Sequence, residues 1–139
     1  YVPTGSRMHI IHLPEGRLLI DDCYNANPQA MTEALRLLAV TQTRRRAAVL
    51  GDMGELGELT VSAHRAIGAL TGELHLDSVI AIGEKARDIA SAAPNARWFP
   101  SVEDALPAVR AAFTGGTAML VKASHAMHFE NIVKELEQS

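Results

Sequence analysis

Arg17-Leu18-Leu19-Ile20-Asp21-Asp22-Cys23-Tyr24-Asn25-Ala26-Asn27-Pro28 is the stretch whose reading decides the fold. Its first four residues make a β-prone run. Beyond Pro28, the apolar residues Met31, Ala34, Leu35 and Leu38 recur at helical spacing as far as Val40. Between strand and helix lie two acids, two amides and a tyrosine. Open α/β sheets place their ligands at the carboxyl ends of strands, so this polar cluster reads as a candidate site.

The same alternation continues in both directions. Met8 to Leu13 and Arg17 to Asp21 are short β-prone runs, and Pro14-Glu15-Gly16 between them has the residue order of a type I turn. Strand 47–51 is followed by a helix from Thr60, whose hydroxyl is expected to cap it. Strand 78–82 leads through Gly83 into a helix over 84–92, and then into a short strand at 97–99. Ser101 with Asp104 forms an acidic capping box, opening a helix with Val102, Ala105, Leu106 and Val109 on one face. Gly115-Gly116 stops that helix and 118–121 is the last strand. Phe129, Ile132, Val133 and Leu136 then mark a final helix. Strands alternating with helices imply βαβ units, and right-handed crossovers put helices on both faces of a parallel sheet. The expected fold is a three-layer, doubly wound α/β domain with a mostly parallel sheet and an N-terminal hairpin or antiparallel edge strand. Residues 8–139 are expected to form that domain, with 1–7 as an interdomain linker.

The 139 residues suffice for one core that buries roughly 68% of the unfolded surface. A composition of 47% hydrophobic and 21% charged residues is that of a globular protein. Thirteen basic against sixteen acidic residues leave a net charge of -3, which gives no footprint for nucleic acid or an anionic membrane. Arg44-Arg45-Arg46 directly precedes an apolar run and reads as a solvated strand entrance. Cys23 is the single cysteine, so no intrachain disulfide can form and a reducing cytoplasm fits. No apolar run approaches the roughly 18 residues of a membrane span, and no signal pattern opens the chain.

Parallel topology demands that functional residues collect after strands. Asp21 to Pro28 does so, as do Gly51-Asp52-Met53-Gly54-Glu55-Leu56-Gly57-Glu58, Gly83-Glu84-Lys85 and Lys122-Ala123-Ser124-His125. Asp22 can accept hydrogen bonds from ribose hydroxyls or serve as a helix N-cap. Tyr24 can stack on a base or pack half-buried. Asn25 and Asn27 offer donors and acceptors to phosphate, and Asn-Ala-Asn-Pro is equally good turn chemistry. Asp52, Glu55 and Glu58 repel phosphate and suit an ammonium group or a metal. Lys122, ending an apolar strand, can hold an anion or be solvated. His125 and His128 have i, i+3 metal-ligand spacing that ordinary surface histidines share, so no metal site is assigned. His64 beside Ala63, Ile67 and Leu70 reads as a half-buried helix residue. Cys23 has no activating base nearby in sequence. The chain contains no Gly-x-x-x-x-Gly-Lys-Ser/Thr loop and no Gly-x-Gly-x-x-Gly, so a complete nucleotide site is not encoded.

Asp-Asp-Cys-Tyr-Asn-Ala-Asn-Pro, followed by Val-Leu-Gly-Asp-Met-Gly-Glu-Leu-Gly-Glu and His64, resembles the C-terminal domain of the Mur ligases. Within them it is similar to the members that add D-alanyl-D-alanine to UDP-N-acetylmuramoyl-tripeptide in peptidoglycan synthesis. The closing Leu-Val-Lys-Ala-Ser-His-Ala-Met-His-Phe-Glu is similar to the Lys-Gly-Ser-Arg segment of that family, and Pro-Thr-Gly-Ser-Arg-Met to its linker. The resemblance covers nearly the whole chain. It implies a three-domain cytoplasmic enzyme, expected to be a monomer, whose partners are its own N-terminal UDP-sugar domain and central ATPase domain. ATP with Mg²⁺ is then held mainly by the central domain.

No catalytic residue of its own is implied for this domain. Asp22 would hold the ATP ribose, with Tyr24, Asn25 and Asn27 lining the nucleotide side. Asp52, Glu55, Lys122, Ser124 and His125 would lie toward the D-Ala-D-Ala substrate. Cys23, Gly54, Ala123, His125 and His128 stand where the family pattern has Ser, Leu, Gly, Arg and often a further Arg. A domain of a folylpolyglutamate-type ligase, or a free-standing non-enzymatic α/β binding domain, are the alternative readings.

Overall fold

In the computed structural model, which describes residues 8–22 and 26–138, β1 (His9–Leu13) and β2 (Arg17–Asp21) pair antiparallel, with His9 opposite Asp21 and Leu13 opposite Arg17. Their connection departs from the expected type I turn. Glu15 (φ 68°) and Gly16 (φ 70°) both take the left-handed region, whose twist matches a hairpin, whereas a type I turn keeps both central φ negative. The Glu15 carbonyl accepts from Gly116 N at 3.0 Å, which ties the turn to the start of the last strand.

The remaining strands are β3 (Arg45–Gly51), β4 (Ser78–Ile82), β5 (Ala96–Phe99) and β6 (Thr117–Lys122), in the order β1-β2-β6-β3-β4-β5. All pairings other than β1–β2 are parallel. Apolar runs such as Ala47 to Leu50 are continuous because both faces are covered and alternate residues serve opposite cores. Ile20, Ala48, Leu50 and Leu120 pack with α1 (Pro28–Val40), α2 (Thr60–Glu73) and α3 (Arg87–Ala92) through Met31, Leu35, Leu38, Ile67 and Ile89. Leu19, Val49, Met119 and Val121 pack with α4 (Val102–Ala112) and α5 (Glu130–Glu137) through Ala105, Val109, Ile132 and Leu136. The chain runs outward from β2 to β5, leaving a gap that β6 fills on its return. A crossover of the same hand running backwards must pass over the opposite face, which is why the helices divide in this way.

Two expected helix starts move. Thr60 does not cap α2, because a 3-10 turn over Gly57–Leu59 precedes it and the Thr60 hydroxyl donates to Gly57 O at 2.7 Å. α3 begins at Arg87 and not at 84, since Ala86 N is drawn to the Asp52 carboxylate at 2.8 Å. Ser101 does cap α4, with Oγ accepting from Asp104 N at 3.2 Å.

Candidate functional site

β6 lies between β2 and β3, and its following helix covers the face opposite to theirs. The connections therefore diverge on both sides of the carboxyl end of β6, the topological switch where open sheets form a ligand crevice. Asp22, Asp52, Lys122 and Ser124 all sit at this edge.

Asp22 and Lys122 are the next residues beyond the paired Asp21 and Val121, and Asp22 N still donates to Val121 O at 3.0 Å. The Lys122 ammonium meets Asp22 Oδ2 at 2.8 Å, with the two side chains only 3% and 8% exposed. Two charges leave water together here, so removing Lys122 leaves the Asp22 carboxylate without this counter-charge in a dry site. Lys122, expected to face an incoming anion, points its ammonium at Asp22. Asp22 is also not the cap of α1. Asn27 is, its Oδ1 accepting from Ala30 N at 2.8 Å with Pro28 in the first turn. A contact from Asn27 to an acceptor such as a phosphate oxygen would come from its Nδ2 donors. Cys23, Tyr24 and Asn25 lie outside the described residues.

Asp52 links three strand ends. Its Oδ1 accepts from Ala86 N at 2.8 Å, and its backbone carbonyl accepts from Ser124 N at 3.1 Å. Gly83, at φ +113°, passes so close that a Cβ there would lie 2.5 Å from Asp52 Oδ1. Trp98 Nε1 donates to Gly83 O at 2.6 Å, and the Arg87 guanidinium stacks 4.4 Å from the Trp98 ring. Glu55 is exposed in the left-handed region (φ 60°), on the loop that projects from β3. Half-buried Ser124 precedes the turn His125–Met127, where the His125 side chain lies outside what is described. His128 pairs with Glu130 at 3.1 Å.

Sequence reasoning missed the anchor of the acidic loop. His64 is fully buried, not half-buried. Its Nε2 accepts from Met53 N at 3.0 Å, so the proton sits on Nδ1, which donates to Thr60 O at 2.6 Å. Both partners are backbone groups, which leave no side-chain signature in the sequence. At Gly51 a Cβ would meet Ala123 Cβ at 2.6 Å and Phe129 Cζ at 2.7 Å. It is a close approach between strand ends.

Residues 6–125 match the family model described as Mur ligase, glutamate ligase domain. The chain belongs to this Mur ligase family. It is 34% identical over 143 residues to the UDP-N-acetylmuramoyl-tripeptide--D-alanyl-D-alanine ligase of Bacillus subtilis, a match covering 98% of this chain and 31% of the relative. Among solved structures, MurF from Acinetobacter baumannii superposes with a TM-score of 0.87 at 29% identity, over 100% of this chain and 31% of that one. MurF from Thermotoga maritima in complex with ADP gives 0.84 at 25% identity, over 99% and 32%. The chain thus spans about a third of the length of the relatives it matches. In this Mur ligase domain no described helix is long and apolar enough to cross a membrane.

Proposed function

We propose that this domain is the C-terminal part of an ATP-dependent amide ligase that joins D-alanyl-D-alanine to UDP-N-acetylmuramoyl-tripeptide in peptidoglycan synthesis. The carrying observation is the gathering of Asp22, Asp52, Lys122 and Ser124 around the end of β6 in a chain that has no phosphate loop. The site has a carboxylate suited to sugar hydroxyls, and the sequence has no glycine-rich loop with a following lysine to cradle a triphosphate. The likeness to an ADP-bound MurF structure, and to ligases three times as long, supports a nucleotide shared with a second domain. Residues 1–7 then lead from a central ATPase domain, with a UDP-sugar domain before it, and residues 8–139 form the third unit.

In this reading Asp22 accepts from the ribose hydroxyls, and Asn27 offers Nδ2 to the phosphate side together with Tyr24 and Asn25. Mg²⁺ belongs with the triphosphate in the central domain, where the phosphate loop lies. ATP supplies the phosphoryl group that activates the acceptor carboxylate as an acyl phosphate, from which the dipeptide amine displaces phosphate. Asp52 and Glu55 attract the ammonium end of the dipeptide, and the segment at Ser124 and His125 takes its carboxylate end. The contribution of the domain is positioning: closing over the nucleotide fixes the amine near the activated carbonyl and excludes water.

The test is phosphate release and product formation by the full-length protein with UDP-N-acetylmuramoyl-tripeptide, ATP and D-Ala-D-Ala. Turnover with this dipeptide is expected, and none from the 139-residue chain alone. Ligation of glutamate to a folate with no use of D-Ala-D-Ala, or activity from the isolated chain, would overturn the proposal.

A further inference from the structure

The Lys122–Asp22 pair assigns Lys122 a different task from the direct contact with an incoming carboxylate given to its segment above. Lys122 is 2% exposed as a residue and Asp22 6%, and their contact of 2.8 Å joins successive positions on adjacent parallel strands. Such a lysine is poorly placed to reach a substrate but well placed to hold a neighbour. The ribose role proposed for Asp22 also raises an electrostatic difficulty: a carboxylate in a dry crevice must sit beside a polyanionic nucleotide. An ammonium on Oδ2 cancels that charge and leaves Oδ1 of the same carboxylate to face the sugar.

We infer that Lys122 is a positioning residue for nucleotide binding that acts through Asp22, fixing the carboxylate's rotamer and compensating its charge. The inference rests on the ligase reading and deepens it. It moves Lys122 from the dipeptide side of the site to the nucleotide side, and leaves Ser124 and its neighbours to the dipeptide.

The experiment is a double-mutant cycle in the full-length protein, with KM measured separately for ATP and for D-Ala-D-Ala. Lys122→Met is expected to raise the ATP KM about tenfold, leaving the dipeptide KM and kcat within about threefold. Lys122→Arg, which retains a cation for Oδ2, restores the ATP KM to within about threefold. Once Asp22 is changed to Asn, adding Lys122→Met has no further effect on either KM, because the residue has lost the group it acts through. If Lys122→Met alone does not fold, this last comparison between Asp22→Asn and the double variant carries the test, both having lost the carboxylate. A rise in dipeptide KM on removing Lys122, or independent and multiplying effects of the two substitutions on ATP, would overturn the inference. A wild-type protein with no ATP-dependent ligation of D-Ala-D-Ala overturns the functional reading itself before any variant is compared, and the inference with it.

Discussion

Replacing Gly51 with Ala tests how the two central strand ends are held together beneath the site. The added methyl carbon would lie 2.6 Å from Ala123 Cβ, 2.7 Å from Phe129 Cζ and 3.1 Å from Phe129 Cε2. Packed carbons sit about 3.5–4.0 Å apart, so the neighbours must retreat by about 1 Å. Ala123 and Phe129 are fully buried in the core beneath α4 and α5 and cannot yield into solvent. Overpacking of this kind costs about 1–3 kcal/mol. Gly51 is not among the residues with positive φ, so alanine suffers no backbone strain and gains about 0.4–1 kcal/mol from a less flexible unfolded chain. The net expectation is a loss of about 1–2 kcal/mol, read by urea unfolding of the 139-residue chain. Gly54, three residues on, has nothing within 4 Å of its would-be Cβ, so Gly54→Ala is the matched control and should be neutral or slightly stabilising. Adding Ala123→Gly to Gly51→Ala removes one of the two blocking groups and should recover part of the loss through favourable coupling. If Gly51→Ala proves as stable as Gly54→Ala, the close approach of β3 and β6 described here is wrong.

His64→Ala strands the Met53 amide and empties a fully buried position, and should cost about 3 kcal/mol with faster hydrogen exchange at Met53; unchanged exchange there would count against the anchor. Asn27→Ala removes the cap of α1 and should cost about 1 kcal/mol in unfolding. Asn27→Asp keeps the capping oxygen but loses the Nδ2 donors, so stability should hold while the ATP KM of the full-length protein rises; equal losses of stability in both variants would refute the division of labour.

The alternation of apolar runs and the period of each helix made the sheet and its crossovers legible, because burial on both faces imposes continuous strands and helical stripes on the sequence itself. Where the reading of helix starts slipped, another hydrogen-bond partner had intervened, one distant in sequence and one three residues away. Ala86 is drawn out of its helix by Asp52, 34 residues away, and the Gly57–Leu59 turn takes the capping hydroxyl of Thr60. The candidate site was legible as a set of strand-end polar segments, since parallel topology alone sends them to one edge. Their mutual contacts were not.

The sequence by itself determined the α/β architecture and the sheet edge on which the polar residues collect, which follow from local period and chain direction, and the family resemblance, which rests on its motifs. Only the tertiary structure decided that β6 enters between β2 and β3, bringing Lys122 onto Asp22 across 100 residues of chain. Pairing of that kind is set by how layers pack and where charges can escape water. Residue order does not encode it in any local pattern.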